Sequence, residues 1–392
     1  MAVVLGMSAC GGYTIGFMWV PGTQYNQIAG LKIDDFTGNL TKMVGSPYSS
    51  GGSNPVSIVV RLGGNFVFVV NKGTSTAGKP NGDGNVAVFA VGEDGVLTFQ
   101  QSYTTAGNSP VWATTDTSGS YLYVLDQFAP AATATKAADG DITVFSIDGS
   151  TGRLQLVPNQ TTKITTGPQT GQQLNYFEVG QTPTMVRVGG GCVYTLDSGD
   201  QSILPYGIGS QGQLVVESNS KVFTQTVNMT SLNVSGGNVY ITDAGTNTIK
   251  PYQTGAACSL SAQVGGSVAN LSQTANPVYS MVDNKGKYLY VLNHGTTNLN
   301  NANSTISAFI IEPTGALVPI SDVSNPYPVG NGPVCMAEDP SSQYIYTANS
   351  NDGSITGKRI DSNTGYLYDL ARGSSFQATG LATCLAVSGN VD

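Results

Sequence analysis

Tyr344-Ile-Tyr-Thr-Ala-Asn349 is the stretch that decides the fold, because its character returns along the chain. The other instances are Phe66-Val-Phe-Val-Val-Asn71, Tyr121-Leu-Tyr-Val-Leu-Asp126, Cys192-Val-Tyr-Thr-Leu-Asp197, Val239-Tyr-Ile-Thr-Asp243 and Tyr288-Leu-Tyr-Val-Leu-Asn293. Each is a short apolar run rich in aromatic and β-branched residues, closed by Asn or Asp, which reads as a buried strand ending in a turn. The closing residues are 55, 71, 46, 50 and 56 positions apart. Strand-like units repeating at roughly 50 residues are the mark of propeller blades.

Working outward, a strand precedes each of these runs and is usually opened by proline: Pro55, Pro110, Pro183, Pro277 and Pro333, with Met229 once in its place. A third strand follows, as in Val86-Ala-Val-Phe89, Ile142-Thr-Val-Phe145 and Ile306-Ser-Ala-Phe309. Next comes a turn in which glycine precedes leucine by two, at Gly38/Leu40, Gly95/Leu97, Gly152/Leu154, Gly212/Leu214, Gly315/Leu317 and Gly365/Leu367. Glycine suits the positive φ of a tight hairpin, and the leucine starts an outer strand against the next blade. Six blades are complete between about residues 54 and 380, while residues 14–53 supply three strands without the opening one. Leu381-Ala-Thr-Cys-Leu-Ala-Val387 resembles Pro333-Val-Cys-Met-Ala337 and is expected to complete that first blade, closing the ring and leaving no free sheet edge. The expectation is an all-β, seven-bladed β-propeller of four-stranded antiparallel blades, forming one domain over residues 13–392 behind a separate segment, 1–12.

The Tyr-Ile-Tyr-Thr-Ala-Asn strand, followed by Ile-x-x-Phe and Thr-Gly-x-Leu, resembles the YVTN-repeat propellers of the lactonase family, relatives of bacterial 6-phosphogluconolactonase. The likeness covers roughly residues 14–388. It implies the propeller fold and, as an activity, the opening of a sugar lactone by polar residues around the central channel. The shared residues build blades and identify no catalytic motif.

Composition narrows the function. The 16 basic and 24 acidic residues give a net charge of −8, and the five arginines are scattered, so no nucleic acid is expected as a partner. The start, Met1-Ala-Val-Val-Leu-Gly-Met-Ser-Ala-Cys10, reads as the end of a bacterial lipoprotein signal with Cys10 lipidated and anchoring the protein to a membrane. The other reading is an apolar N-terminal strand that serves as a connector between subunits. Cys10 apart, four cysteines remain, which fits an exported protein, at the cell surface, outside the cell or in the periplasm. Cys335 and Cys384 each lie two places into an opening strand of adjacent blades and are expected to form a disulfide. Cys192 and Cys258 stand at non-equivalent positions and are left unpaired. One histidine and no CxxC pair argue against structural zinc, and no cofactor is expected.

The supply of catalytic groups reads as thin. Arg61, Arg153, Arg187, Arg359 and Arg372 fall at unrelated points in their blades. His294 opens a polar loop and is either a base at the channel mouth or a solvated loop residue. Asn71, Asp126, Asp197, Asp243, Asn293 and Asn349 are either a ring of metal ligands or caps whose side chains bond the following turn; their repetition in blade after blade favours caps. Asn81-Gly-Asp-Gly84 and Asp139-Gly-Asp141 are fragments of calcium loops that lack the closing glutamate. Asn-x-Ser/Thr sites start at Asn39, Asn159, Asn228, Asn233, Asn270 and Asn303.

Long insertions at Lys72–Asp83, Gln127–Gly140, Pro158–Thr182 and His294–Asn303 gather on one face of the disc and carry little charge. Read from these residues, the favoured function is a non-catalytic exported propeller, a structural or interaction module that binds copies of itself or another extracellular protein. The alternative, implied by the resemblance, is a lactonase acting on a sugar lactone.

Overall fold

The second strand of each blade carries the packing. One large side chain in it is held at or near zero exposure between neighbouring blades: Trp19, Phe68, Tyr123, Tyr194, Tyr240, Tyr290 and Tyr346. Apolar faces on both sides of a sheet cannot be buried by one blade alone, so blades stack around an axis until the ring closes. The computed structural model describes residues 13–74, 82–130, 139–163, 170–216, 221–263, 265–271, 276–295 and 304–389, and these form seven antiparallel sheets. Blade 7 shows the pattern, running outward from the axis as Pro333–Glu338, Tyr344–Asn349, Ser354–Ile360 and Leu367–Asp369. Blades 2 to 6 open with inner strands Pro55–Val60, Asn108–Thr115, Pro183–Gly189, Met229–Ser235 and Pro277–Val282. Among the described residues, six of the seven blades add a short fifth strand. In blade 6 Leu317–Pro319 and Tyr327–Pro328 pair with opposite ends of Thr305–Ile311.

Blade 1 is built from both ends of the chain. Thr14–Gly22, Gln27–Asp34 and Leu40–Lys42 come from the start, and Ala386–Gly389 takes the inner place. The closing strand was expected over Leu381–Val387; its ladder instead runs from Trp19↔Ala386 to Gly16↔Gly389, with one further bridge at Gly22↔Ala382. Between the two, Cys384 leaves the ladder to form a disulfide with Cys335 of blade 7, and the Thr383 N–H donates to the Pro21 carbonyl at 3.0 Å. The segment 1–12, with Cys10, lies outside the described residues.

The seams between blades repeat one contact. A residue near the start of a second strand lies on the turn glycine of the next blade. A Cβ on Gly38 (φ 68°) would stand 2.5 Å from the Tyr344 ring, and one on Gly365 (φ 73°) 2.6 Å from that of Tyr288. Only glycine combines that φ with that approach. Two residues along, a buried hydroxyl or indole donates to the same glycine's carbonyl: Tyr346 to Gly38 (2.6 Å), Tyr290 to Gly365 (3.0 Å), Tyr240 to Gly315 (3.1 Å), Tyr123 to Gly212 (3.2 Å) and Trp19 to Gly95 (3.0 Å).

The seam between blades 4 and 5 departs from this. There Cys192 stands where a tyrosine begins the strand, and Cys258 (φ 56°) stands two places before Leu260, where a glycine would be. The two form the second disulfide, with Cα atoms 5.8 Å apart. With that turn rebuilt, the Tyr194 hydroxyl is buried without a partner among the described residues.

Candidate site in the central channel

The seven inner strands surround the axis, each packed against the next. Their sequences carry only two charged side chains, Arg187 on the inner strand of blade 4 and Glu338 on that of blade 7. Four residues after its opening Pro183, Arg187 leaves its own sheet and crosses the channel. Its Nε donates to the Leu232 carbonyl of blade 5 at 3.3 Å, and its Nη2 to the Tyr279 hydroxyl of blade 6 at 2.6 Å. The guanidinium carbon sits 5.0 Å from the ring centre of Trp112 in blade 3 and 5.5 Å from that of Tyr279. The two rings are 6.3 Å apart and inclined at 37°. One guanidinium thus ties four blades together at the axis, held by cation–π attraction to two adjacent rings.

The cluster is rich in donors. Among the described residues the ion pairs are Lys221–Asp200, Lys250–Asp243 and Lys358–Asp369, so Arg187 has no carboxylate partner. The Tyr279 oxygen accepts from Arg187, leaving its own proton to donate. The Trp112 Nε1–H is buried without an acceptor among the described residues. A half-buried cation with unspent N–H and O–H groups attracts an anionic oxygen strongly, because the low-dielectric wall screens it little.

Glu338 is engaged elsewhere. Its carboxylate accepts the Asn284 N–H of the blade 6 hairpin at 2.6 Å, and burial pushes its pKa up to about 7. It clasps blade 7 to blade 6. His294 stands at the end of the second strand of blade 6, partly exposed. Its backbone N–H donates to the Asn276 carbonyl (3.0 Å), and its carbonyl accepts from Ser304 Oγ (2.9 Å). Among the described residues its imidazole has no hydrogen bond, and the structure does not bring it to Arg187.

The six strand-end Asn/Asp residues are buried where the second and third strands meet. Asp243 bonds the turn that follows it, accepting from the Gly245 N–H (3.0 Å) and Thr246 Oγ1 (2.8 Å). Burial raises its pKa, but these bonds, with those from the Asn228 and Val227 N–H groups, outweigh that and hold it below the usual value. The others face sideways. Asn71 donates to the Ser50 carbonyl and Asn85 Oδ1, both at 3.0 Å; Asn293 donates to Thr305 and Ser307, and Asn349 to Ser354 and Thr356. Asp197 accepts from Thr195 Oγ1 at 3.0 Å while its Oδ1 is buried and unpaired, so desolvation pushes its pKa up to about 7. Asp126 faces Asp141 across the ladder, and burial raises both. The six belong to separate blades, and among the described residues no three His, Cys, Asp or Glu side chains converge as metal ligands.

Sequence reasoning missed Arg187, Trp112, Tyr279 and the Cys192–Cys258 pair. The signal for Arg187 was its place: an arginine inside an inner strand, among strands otherwise almost devoid of charge.

Comparison with known proteins agrees with the fold and bears on the chemistry. The model of a family described as "Lactonase, 7-bladed beta-propeller" matches residues 16–164 and 261–380. Among curated proteins none matches. Similar solved structures include candidate 6-phosphogluconolactonases of Bacteroides fragilis (18% identity, TM-score 0.70, 96% of this chain and 98% of that one) and Bacteroides uniformis (17%, 0.72, 96% and 100%). The periplasmic gluconolactonase of Pseudomonas aeruginosa is similar to the same degree (17%, 0.70, 96% and 100%). The expectation of a non-catalytic structural module is overturned by the lactonase match. One of the arginines that fall at unrelated points in their blades, Arg187, reaches into the channel.

Proposed function

Because the chain belongs to the lactonase family of seven-bladed β-propellers, we propose that it is a lactone hydrolase working in the central channel at Arg187. The observation that carries this reading is the Arg187 guanidinium, seated against the Trp112 and Tyr279 rings and paired with no carboxylate among the described residues. In lactone hydrolysis water adds to the carbonyl carbon, charge collects on the carbonyl oxygen, and the ring C–O bond breaks to leave a hydroxy acid. Arg187 and the Tyr279 O–H are donors suited to that oxyanion and then to the product carboxylate. The aromatic faces of Trp112 and Tyr279 suit the C–H face of a sugar ring.

The names of the similar structures suggest gluconolactone or its 6-phosphate as substrate. A single cation on the inner strands favours the unphosphorylated lactone, since a phosphate calls for clustered basic groups. Two disulfides fit an oxidising compartment, and export, with lipidation at Cys10, accords with them.

The test is proton release from glucono-δ-lactone and from 6-phosphoglucono-δ-lactone above the spontaneous rate. Arg187→Met, folded by circular dichroism, should lose about 10²–10³ in kcat/KM, the loss typical of removing one oxyanion donor. His294→Ala should stay within about twofold of the parent, since its side chain meets nothing in the channel cluster. No hydrolysis by the parent, or an Arg187→Met variant with undiminished rate, would sink the reading.

A further inference from the structure

Blade 3 breaks a rule kept by the five other blades whose second strand ends in Asn or Asp. Where the strand-end Asn or Asp meets the first part of the third strand, its cross-strand partner is neutral: Asn85 opposite Asn71, Ser202 opposite Asp197, Thr248 opposite Asp243, Thr305 opposite Asn293 and Ser354 opposite Asn349. In blade 3 the partner of Asp126 is Asp141, a second carboxylate. Both have zero exposure. Asp126 is bonded, accepting from Thr105 Oγ1 at 2.6 Å and Thr143 Oγ1 at 3.2 Å. Asp141 is not: among the described residues both of its carboxylate oxygens are buried without a hydrogen-bond partner, the nearby Thr143 hydroxyl being spent on Asp126. On its other side Asp141 is in register with Glu178, so three carboxylates stand in a row across three strands.

Like charges directly opposite in a ladder repel, and a buried carboxylate with no donor bears its full desolvation cost. Such a pair persists either by keeping a proton or by holding a cation between its carboxylates. Two neutral oxygens lie on the Asp126 side: Thr105 Oγ1 bonds Asp126 and stands 3.4 Å from the Gly107 carbonyl, in the segment that enters blade 3. We propose that Asp126 and Asp141 bind a divalent cation of the calcium class at the end of blade 3, where its second and third strands meet. Two carboxylates, a hydroxyl and a carbonyl form a hard-oxygen set, which suits Ca²⁺, with its tolerance of irregular geometry, better than Zn²⁺. No third Asp, Glu, His or Cys side chain converges with the pair among the described residues, so the remaining ligands are neutral oxygens and water. The site lies within a blade, between strands two and three, and its existence does not depend on the channel being catalytic.

Thermal unfolding of the whole protein, stripped with EDTA and then titrated with CaCl2 or MgCl2 at pH 7.5, tests this, together with calcium content by elemental analysis. Calcium at about 100 times its Kd should raise Tm by about 3 °C, with one ion per chain retained after desalting. Asp141→Thr, which installs the residue type found at Thr248 and Thr305, should abolish both the ion and the shift. It should also be more stable than the stripped parent, a gain that a merely disrupted fold could not show. Absence of any cation-dependent shift and of bound calcium would overturn the proposal. So would a parent stabilised by acid in EDTA and indifferent to calcium, which would assign the pair a shared proton instead.

Discussion

Asp197 shows how one side chain ties stability to pH. Its pKa stands near 7 in the folded chain against 3.8 for an unperturbed carboxyl, because burial leaves Oδ1 without a donor. Between those values the unfolded chain has released the proton while the folded chain still holds it. Stability therefore falls as pH rises from about 4 to about 7, and stays at the lower level above. Asn71, Asn293 and Asn349 occupy the same place in other blades, so the slot accepts an amide. Asp197→Asn should flatten this slope and exceed the parent in stability at pH 8, with little difference at pH 4. Urea midpoints at the two pH values measure it, and an Asp197→Asn chain no more stable than the parent at pH 8 would contradict the account. The place of Asp197 at a strand end was legible in the sequence, but its charge state was not, because that depends on which residue the ladder sets opposite. Ser202 there leaves an anion short of donors, whereas Asp141 opposite Asp126 creates a second anion. Arg187 was obscured for a related reason: its neighbours Trp112 and Tyr279 lie 75 and 92 positions away and meet it only across the axis.

Second strands make the seams, and one substitution should have opposite signs at two of them. Tyr346 donates to the Gly38 carbonyl at 2.6 Å in a buried position, so Tyr346→Phe leaves a buried carbonyl short of a donor and should cost about 1–2 kcal/mol. Tyr194 holds the matching place in blade 4, yet its hydroxyl is buried with no partner. Tyr194→Phe removes an unsatisfied group and should be neutral or stabilising by up to about 1 kcal/mol. Chemical denaturation of the two variants beside the parent decides it, and equal losses at both positions would refute the seam argument. The contrast traces to blade 5, where Cys258 replaces the turn glycine and joins Cys192. That pairing was available to a reader who aligned Cys258-Ser-Leu260 with Gly-x-Leu and Cys192 with the leading tyrosines. The strands, the glycine turns and the seven units were legible because their pattern is local and repeated. The pairing called for knowing which blade position touches which across a seam.

The closure of the ring is the least redundant part of the whole molecule. Every other blade is one continuous piece of chain, whereas blade 1 joins its two ends through the ladder of Ala386–Gly389 on Gly16–Trp19, with one bridge at Gly22↔Ala382. Two disulfides brace the disc at separate seams, Cys335–Cys384 between blade 7 and the closing strand and Cys192–Cys258 between blades 4 and 5. They span 49 and 66 residues, and chain entropy assigns each about 4 kcal/mol, too similar to tell them apart by global stability. Their local effects should differ. Cys384 lies just ahead of the closing ladder and pins that strand to the inner strand of blade 7, so the strand stays in place when the ladder frays. Cys192–Cys258 joins blades that are each covalently whole. In Cys335→Ser/Cys384→Ser, amides of Gly16–Trp19 and Ala386–Gly389 should exchange at least about tenfold faster than in the parent, as expected when a sub-global opening becomes about 1.4 kcal/mol easier. In Cys192→Ser/Cys258→Ser the same amides should keep their protection while the protein as a whole loses a comparable few kcal/mol. Hydrogen exchange read by mass spectrometry on peptides covering both chain ends separates the cases. Equal protection of the closing ladder in the two variants would mean that hydrogen bonds and the burial of Phe17, Met18 and Trp19 hold the ring shut without the covalent pin.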